Sequence, residues 1–177
     1  MELLDVVDEN NNLTGIQKNK DIIHEKGLLH REIAVFIQNE KGEFLIQKRS
    51  ANKKQAPNKW CLTTGHVELG EEYDKAAIRE VKEELGIEIK EEDLIPLGIF
   101  KQSVKSGKAI NNSFMKYYFY KTNKKIEDYI IQLEELSEIK YISFNEIVRV
   151  INEKDENYVF AKKEIMQDIL KLLKAYK

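Results

Sequence analysis

One cysteine, two prolines and eight glycines are all that this 177-residue chain holds of the residues that staple or punctuate a fold. Cys61 alone cannot close an intramolecular disulfide, and no Cys/His set has zinc-finger spacing, so a reducing, cytoplasmic setting is expected. Pro57 and Pro96 stand far apart, and no Pro/Gly/Ser-rich linker, repeat or low-complexity tract interrupts the chain, which makes residues 1–177 one expected domain. Long apolar runs are also missing. Ile33 to Ile37 is far too short to span a bilayer, and the polar, acidic first thirty residues, from Met1-Glu2-Leu3-Leu4-Asp5 through Glu9-Asn10-Asn11-Asn12, contain no secretory or transit signal. Nor is there an excess of either charge: 29 Lys+Arg face 31 Asp+Glu, a net of −2. A bulk positive field for gripping nucleic-acid polymers or anionic membranes is therefore excluded, and any anion must be handled locally.

What is present is 42% hydrophobic and 34% charged, enough to build a full core with a solvated surface. Glu32 to Lys48 reads as a β-hairpin, with Ile33, Val35 and Ile37, a turn at Asn39-Glu40-Lys41-Gly42, and then Phe44-Leu45-Ile46. A polar loop over Ala51 to Lys59 leads to a short strand over Trp60 to Thr64. A helix is expected over Tyr73 to Leu85, closed by Gly86. Ile95 to Val104, Ser113 to Tyr120 and Ile139 to Ser143 are strand-like. Phe144 to Asn152 and Ala161 to Lys174 are helical, the latter through Ile165, Ile169, Leu172 and Leu173. Strands flanked by a few helices predict a layered α/β domain with a mixed sheet.

On the Tyr73–Leu85 helix, Ala77, Val81 and Leu85 make an apolar stripe, and Glu80, Glu83 and Glu84 fall on a neighbouring one. Glu80 and Glu84 are an i,i+4 like-charge pair costing an isolated helix roughly 0.2–0.5 kcal/mol, while Lys75, Arg79 and Lys82 fall round the other side, leaving the trio without a neutralising partner. Two readings fit: a solvated acidic face, or oxygen ligands gathered for a hard cation such as Mg²⁺.

The flanking residues extend the pattern. Gly65, five residues, Glu71, seven residues and then Arg79-Glu80-Val81-Lys82-Glu83-Glu84-Leu85-Gly86-Ile87 together resemble the 23-residue Nudix box, with every fixed position at its spacing. The resemblance implies a Nudix-type α/β/α sandwich with a mixed sheet, Mg²⁺ (or Mn²⁺) as cofactor, and water attack at phosphorus of a diphosphate linked to another group, or of a nucleoside triphosphate. It further implies that Glu80, Glu83 and Glu84 are the catalytic metal ligands, with the Gly65 carbonyl joining them, and that Glu71 and Arg79 form a structural ion pair. The implied partner is a small-molecule diphosphate, with a homodimer as an option.

Outside the box, Asp5-Val6-Val7-Asp8-Glu9, Thr14-Gly15, His24, His30-Arg31, Leu45-Ile46-Gln47-Lys48-Arg49-Ser50, and Trp60 ahead of Gly65-His66 resemble the branch containing type I isopentenyl-diphosphate isomerase. In that isomerase a cysteine directly precedes the Gly-His pair, where this chain has Thr64, with Cys61 three residues earlier. Its metal is held by three histidines, which His24, His30 and His66 match with a spacing one residue short, and by two glutamates, where this chain has Asn111 and Ser113. Alkene isomerisation needs an acid and a base on opposite faces of the substrate, and both expected residues are missing. Isomerase activity is thus the alternative, and a catalytically silent nucleotide sensor a second one.

Many Nudix hydrolases carry a further carboxylate on a later strand, where this chain reads Asn112-Ser113-Phe114; Glu134 and Glu135 are candidate substitutes as an extra base. Lys48, Arg49 and Lys59 are candidates for clamping phosphates, and Trp60, Phe114 and Tyr117 for stacking, each equally readable as surface charge or core aromatic. The near-zero net charge is unevenly spread. Residues 68–93 hold eleven acids and four bases, and residues 94–126 hold seven lysines and no acid, so Lys101, Lys105 and Lys116 either meet a polyanion or guard a strand edge.

Overall fold

The computed structural model describes residues 2–176, so Met1 and Lys177, the ends of the 1–177 assignment, lie outside the described residues. The first strand β1 (Leu3–Val7) forms an antiparallel ribbon with β2 (Leu13–Asn19), and helix α1 (Lys20–Lys26) follows. The main sheet has seven strands: β3 (Leu29–Gln38), β4 (Phe44–Arg49), β5 (Trp60–Cys61), β6 (Thr63–His66), β7 (Ile95–Ser106), β8 (Ala109–Lys121) and β9 (Leu136–Ile142). The helices beside it are α2 (Tyr73–Leu85), α3 (Phe144–Glu153) and α4 (Lys163–Leu173).

β3 is the hub of the sheet. It runs parallel to β8 along its whole length, while β6 pairs antiparallel with its middle, Glu32 to Val35, and β4 meets its end only at Gln38↔Phe44. β4 in turn pairs with β9 along its length and with β5 near its end. One parallel pair among antiparallel ones makes the sheet mixed.

Both faces of β3 are buried because its sequence is apolar on both phases of the strand period. Ile33, Val35 and Ile37 pack with Ala76, Ala77, Val81 and Leu85 of α2, while Ala34 and Phe36 pack with Ile147 and Ile151 of α3 and Met166 and Ile169 of α4. Each fully buried aliphatic side chain contributes roughly 1.5–3 kcal/mol, so two cores sandwich the sheet between helices. This is the expected α/β/α arrangement. Ser143 caps α3 by accepting from the Glu146 amide at 3.1 Å, and Gly86 ends α2 in the left-handed region at φ 69°.

The structure departs from the expected elements in three places. The first thirty residues, to which no strand or helix was assigned, supply β1, β2 and α1. The Trp60–Thr64 strand is two strands broken at Leu62, because β5 pairs with β4 and β6 with β3. The two segments at Ile95–Val104 and Ser113–Tyr120 are longer and form one hairpin turning at Gly107-Lys108. Among the described residues, no helix is long and apolar enough to cross a membrane.

Candidate active site

Helix α2 rests its apolar stripe on the sheet, and this fixes where its carboxylates can go. Glu80 and Glu84, one turn apart, are turned inward with side-chain or residue exposures of 15% and 7%, while Glu83 is half in water. Burial, with Glu83 nearby, pushes the Glu80 carboxyl up to about 7 despite the pull of Arg79. Burial and the neighbouring Glu80 push Glu84 up to about 8, and Glu135 adds to that field. A hydrogen bond of 2.6 Å donated by Gln47 Nε2 offsets part of this at Glu84, and Thr63 Oγ donates to the other end of the Gln47 amide at 3.0 Å.

Gly65, the third residue of β6, lies directly against Glu80. A Cβ built there would fall 2.0 Å from Glu80 Cδ, so only glycine leaves room for this carboxylate. Arg79 sits at the centre of the surrounding charges. Its Nε and Nη2 each bond a Glu71 oxygen at 3.0 Å, Nη2 also donates to the His66 carbonyl at 2.9 Å, and Nη1 reaches Glu80 at 2.8 Å and Glu83 at 3.1 Å. Here the expectation of an unneutralised trio is corrected: Arg79 starts on the other side of α2, but its long flexible side chain folds back over its i+1 and i+4 neighbours. Burial works against the guanidinium charge, and the Glu71 and Glu80 carboxylates more than compensate. One cation for Glu71, Glu80 and Glu83, with Glu84 beyond its reach, still leaves a surplus of negative charge. Oxygen donors of this kind suit a hard divalent cation.

These carboxylates face a cavity of about 1020 Å³. Arg49, Lys53 and Lys54 give it a basic rim, Glu134 and Glu135 line it too, and Leu62, Met115, Tyr117 and Phe160 give it an apolar wall. Lys53 is ion-paired with Glu135, joining the polar loop after β4 to the segment before β9. Lys48, Lys59, Trp60 and Phe114 stand apart from this cavity. Lys48 pairs with Glu138 at 3.9 Å, and Trp60 is buried in the α3/α4 core under Lys140, whose Nζ is 4.1 Å from its ring centre. Phe114 lies under Lys101 on the hairpin. Lys101, Lys105 and Lys116 are likewise elsewhere: Lys101 pairs with Glu9, Lys105 is exposed, and Lys116 pairs with Asp74 at 2.7 Å. The meeting of a lysine-rich hairpin with an acidic helix is therefore a structural contact at the start of α2, away from the carboxylate trio.

Beside Gly65 and Glu80 the three histidines converge. His24 comes from the last turn of α1, His30 from the start of β3 and His66 from the end of β6, and their ring centres form a triangle with sides of 5.3, 5.2 and 5.3 Å. Burial holds His24 down to about 4 and His30 below the ordinary histidine range. Two carboxylates that the sequence reading passed over stand beside them. Glu2 lies 3.0 Å from His66 Nδ1; its own burial is outweighed by His66 and Lys20, which hold it at about 2. Glu32, fully inside, is ionised because His66 and His30 and the hydrogen bonds of Ser113 and Asn111 outweigh its burial. A period-2 reading of β3 would have found Glu32, since it shares a face with His30. Cys61 is buried with its thiol pushed up to about 12, its sulfur 3.6 Å from the Gln47 carbonyl, a poor proton donor or nucleophile.

Comparison with known proteins agrees with this geometry. The NUDIX domain family matches residues 28–168. An uncharacterised Nudix hydrolase of Clostridium acetobutylicum is 37% identical over 90% of this chain and 78% of its own. A protein named isopentenyl-diphosphate Delta-isomerase 2 from Photorhabdus laumondii is 29% identical over 95% and 92% of the two chains. Among solved structures, DR0079 from Deinococcus radiodurans shares the fold with a TM-score of 0.70 at 22% identity, covering 99% of this chain and 100% of that one. A matched box, a shared fold and a relative of this similarity place the chain in the Nudix family, as a Nudix pyrophosphohydrolase.

Proposed function

We propose that this chain is a Mg²⁺-dependent hydrolase that cleaves a diphosphate linked to another group, or a nucleoside triphosphate, by water attack at phosphorus. The observation that carries the reading is the pair of buried carboxyls, Glu80 and Glu84, pressed against a glycine that leaves Glu80 its room and opening on a cavity with a basic rim. Glu80, Glu83, Glu84 and the Gly65 carbonyl would hold the ion, and Mn²⁺ has the same oxygen preference. Such an ion supplies positive charge that lets a polyanion approach three carboxylates and makes water a better nucleophile.

The remaining steps belong to the protein. Arg49 and Lys53 attract the phosphates at the rim, and the apolar wall takes the linked group. Glu135 lines the cavity, close enough for its charge to be felt at Glu84, and accepts the proton as the water oxygen bonds to phosphorus and the bridging P–O bond breaks toward the leaving phosphate. Glu134, more exposed, is the weaker candidate. Glu71 and Arg79 tie the loop after β6 to α2 and hold Glu80 in place.

Phosphate release with Mg²⁺ across nucleoside triphosphates, nucleotide sugars, dinucleoside polyphosphates and isoprenyl diphosphates tests the reading. Glu83→Gln and Glu84→Gln should each remove most turnover without unfolding the chain, and unchanged turnover would refute the assignment. The isomerase alternative is disfavoured by Thr64 at the cysteine's place and by the high-pKa thiol of Cys61. Tight binding of one compound with turnover of none would favour the sensor.

A further inference from the structure

The convergence of His24, His30 and His66 matches the isomerase resemblance, but the carboxylates of that pattern are replaced here by Asn111 and Ser113. A set of three histidines alone would then lack a carboxylate ligand. The structure supplies one from another strand. Glu32 on β3 sits opposite His66 in the β3–β6 register, and Oε1 lies 3.6 Å from His66 Nε2. The two residues standing where glutamates were expected both serve it. Ser113 Oγ donates to Glu32 Oε2 at 2.5 Å, and Asn111 Nδ2 reaches Oε1 at 3.0 Å and Oε2 at 3.2 Å.

The rings are oriented as ligands. The Leu28 carbonyl can only accept, so His30 Nδ1 donates to it at 3.1 Å and the lone pair of the neutral ring is on Nε2, which is buried without a hydrogen-bond partner among the described residues. His66 Nδ1 is held by Glu2 at 3.0 Å, and His24 Nδ1 lies 3.3 Å from the Gln55 side-chain amide. For His30 and His66 the outer nitrogen donates and the inner one is left to the cluster, whereas the Gln55 amide nitrogen donates to His24 Nδ1, so His24 ligates through Nε2 once that amide turns its oxygen to the ring. His24 Nε2 and His66 Nε2 are 3.3 Å apart. Bonds of about 2.0–2.1 Å in a tetrahedral site put neighbouring ligands roughly 3.3 Å apart, so 3.3 and 3.6 Å are already near the spacing such an ion would impose. The partners of Glu32 among the described residues are His66, Gln102, Asn111 and Ser113, with no lysine or arginine among them.

We infer that Glu32, positioned by Asn111 and Ser113, is the charged ligand of a three-histidine, one-carboxylate centre for a borderline divalent ion of the zinc class, separate from the oxygen-ligated site on α2. Three nitrogens and one oxygen favour such an ion over Mg²⁺. His24, His66 and Glu32 line the shared cavity, so an ion there would be within reach of a bound substrate.

Cobalt(II) titration of the full chain, followed by visible absorption and by metal content, tests this without relying on turnover. To keep it separate from the helix site, the titration is repeated in a Glu80→Gln/Glu84→Gln variant, where one equivalent and the strong bands of tetrahedral cobalt should persist. Glu32→Gln should weaken cobalt binding by roughly 100-fold or more, and Ser113→Ala by roughly 10-fold, the effect of an outer-shell partner. Metal should raise the melting temperature of the parent far more than that of Glu32→Gln, whereas a merely structural Glu32 would lower the melting temperature of the metal-free chain. Should Glu32→Gln not fold, Ser113→Ala and Asn111→Ala decide: unchanged affinity in both overturns the inference. It is equally overturned if no tetrahedral cobalt forms, or if Glu32→Gln binds as the parent does while His24→Gln does not.

Discussion

Replacing Gly65 with alanine adds one methyl group at the tightest point of the proposed metal site. Its Cβ would lie 2.0 Å from Glu80 Cδ and 2.1 Å from Oε1, and ordinary contact begins at 3.4 Å, so the carboxylate must retreat by about 1.4 Å. The obstacle is the end of a flexible side chain, so the fold should accommodate it. Gly65 is not among the positive-φ glycines, so alanine gains roughly 0.4–1 kcal/mol from a stiffer unfolded chain. Overpacking costs about 1–3 kcal/mol, leaving a net loss of roughly 1–2 kcal/mol and a melting temperature lower by about 2–8 °C. The site cannot absorb the same movement, because the retreat also strains the 2.8 Å bond from Arg79 that holds Glu80. Misplacement of a reacting group by about 1 Å costs on the order of 100-fold in rate. Steady-state kinetics with Mg²⁺, beside circular dichroism and thermal melts, should therefore show a folded protein with kcat reduced about 100-fold. A folded Gly65→Ala variant with kcat within about threefold of the parent would refute the placement of Glu80 at the reacting centre.

Glu80 and Glu84 have folded pKa values raised to about 7 and 8, so their contribution to stability is present below the unfolded value near 4.5 and is lost as pH rises through 7–8. Metal-free protein should accordingly lose a few kcal/mol between about pH 4.5 and 8, and Mg²⁺ should restore it increasingly toward pH 8; melts with Mg²⁺ or with EDTA check this, and a pH-independent Mg²⁺ effect would contradict it. Gln47→Leu removes the 2.6 Å bond to Glu84 and should weaken Mg²⁺ binding roughly 10-fold, measured by calorimetry. Arg79→Lys keeps the charge but loses the paired bonds to Glu71, and should destabilise by about 1–3 kcal/mol in urea melts while lowering kcat. Glu135→Gln should lower kcat by about 100-fold or more with little change in KM if it accepts the proton, and Lys53→Ala should chiefly raise KM.

Much of the fold was legible because its elements carry strong local signals. The helix Tyr73–Leu85 was read with its bounds, since an apolar stripe and a terminal glycine agree there, and β3 declares itself through five consecutive apolar residues. The β1–β2 ribbon was not legible because β2 is exposed nearly throughout and has no buried face to impose a period of two. Helix α1 has its signals, Asn19 as cap and Gly27 after its end, but seven residues are too few for a clear periodicity. At the site, the box residues were named through the family resemblance, since the three glutamates alone read equally as a solvated acidic face. What could not be read was how far side chains reach: Arg79 back to Glu83, Lys53 to Glu135 across 82 positions, or Glu2 to His66, joined only through β1 lying beside the sheet. Trp60 and Phe114 show the converse limit, since an aromatic in a strand does not disclose which of two faces it fills.

The central claim is hydrolysis at phosphorus by the carboxylates of α2. Turnover with Mg²⁺ in oxygen-18-labelled water, followed by phosphorus NMR, tests it most directly. The label should enter a phosphate product, and Glu83→Gln and Glu84→Gln should suppress its entry while remaining folded. Conversion of isopentenyl diphosphate to its isomer with no labelled phosphate, or no labelled product from any diphosphate offered, would contradict it.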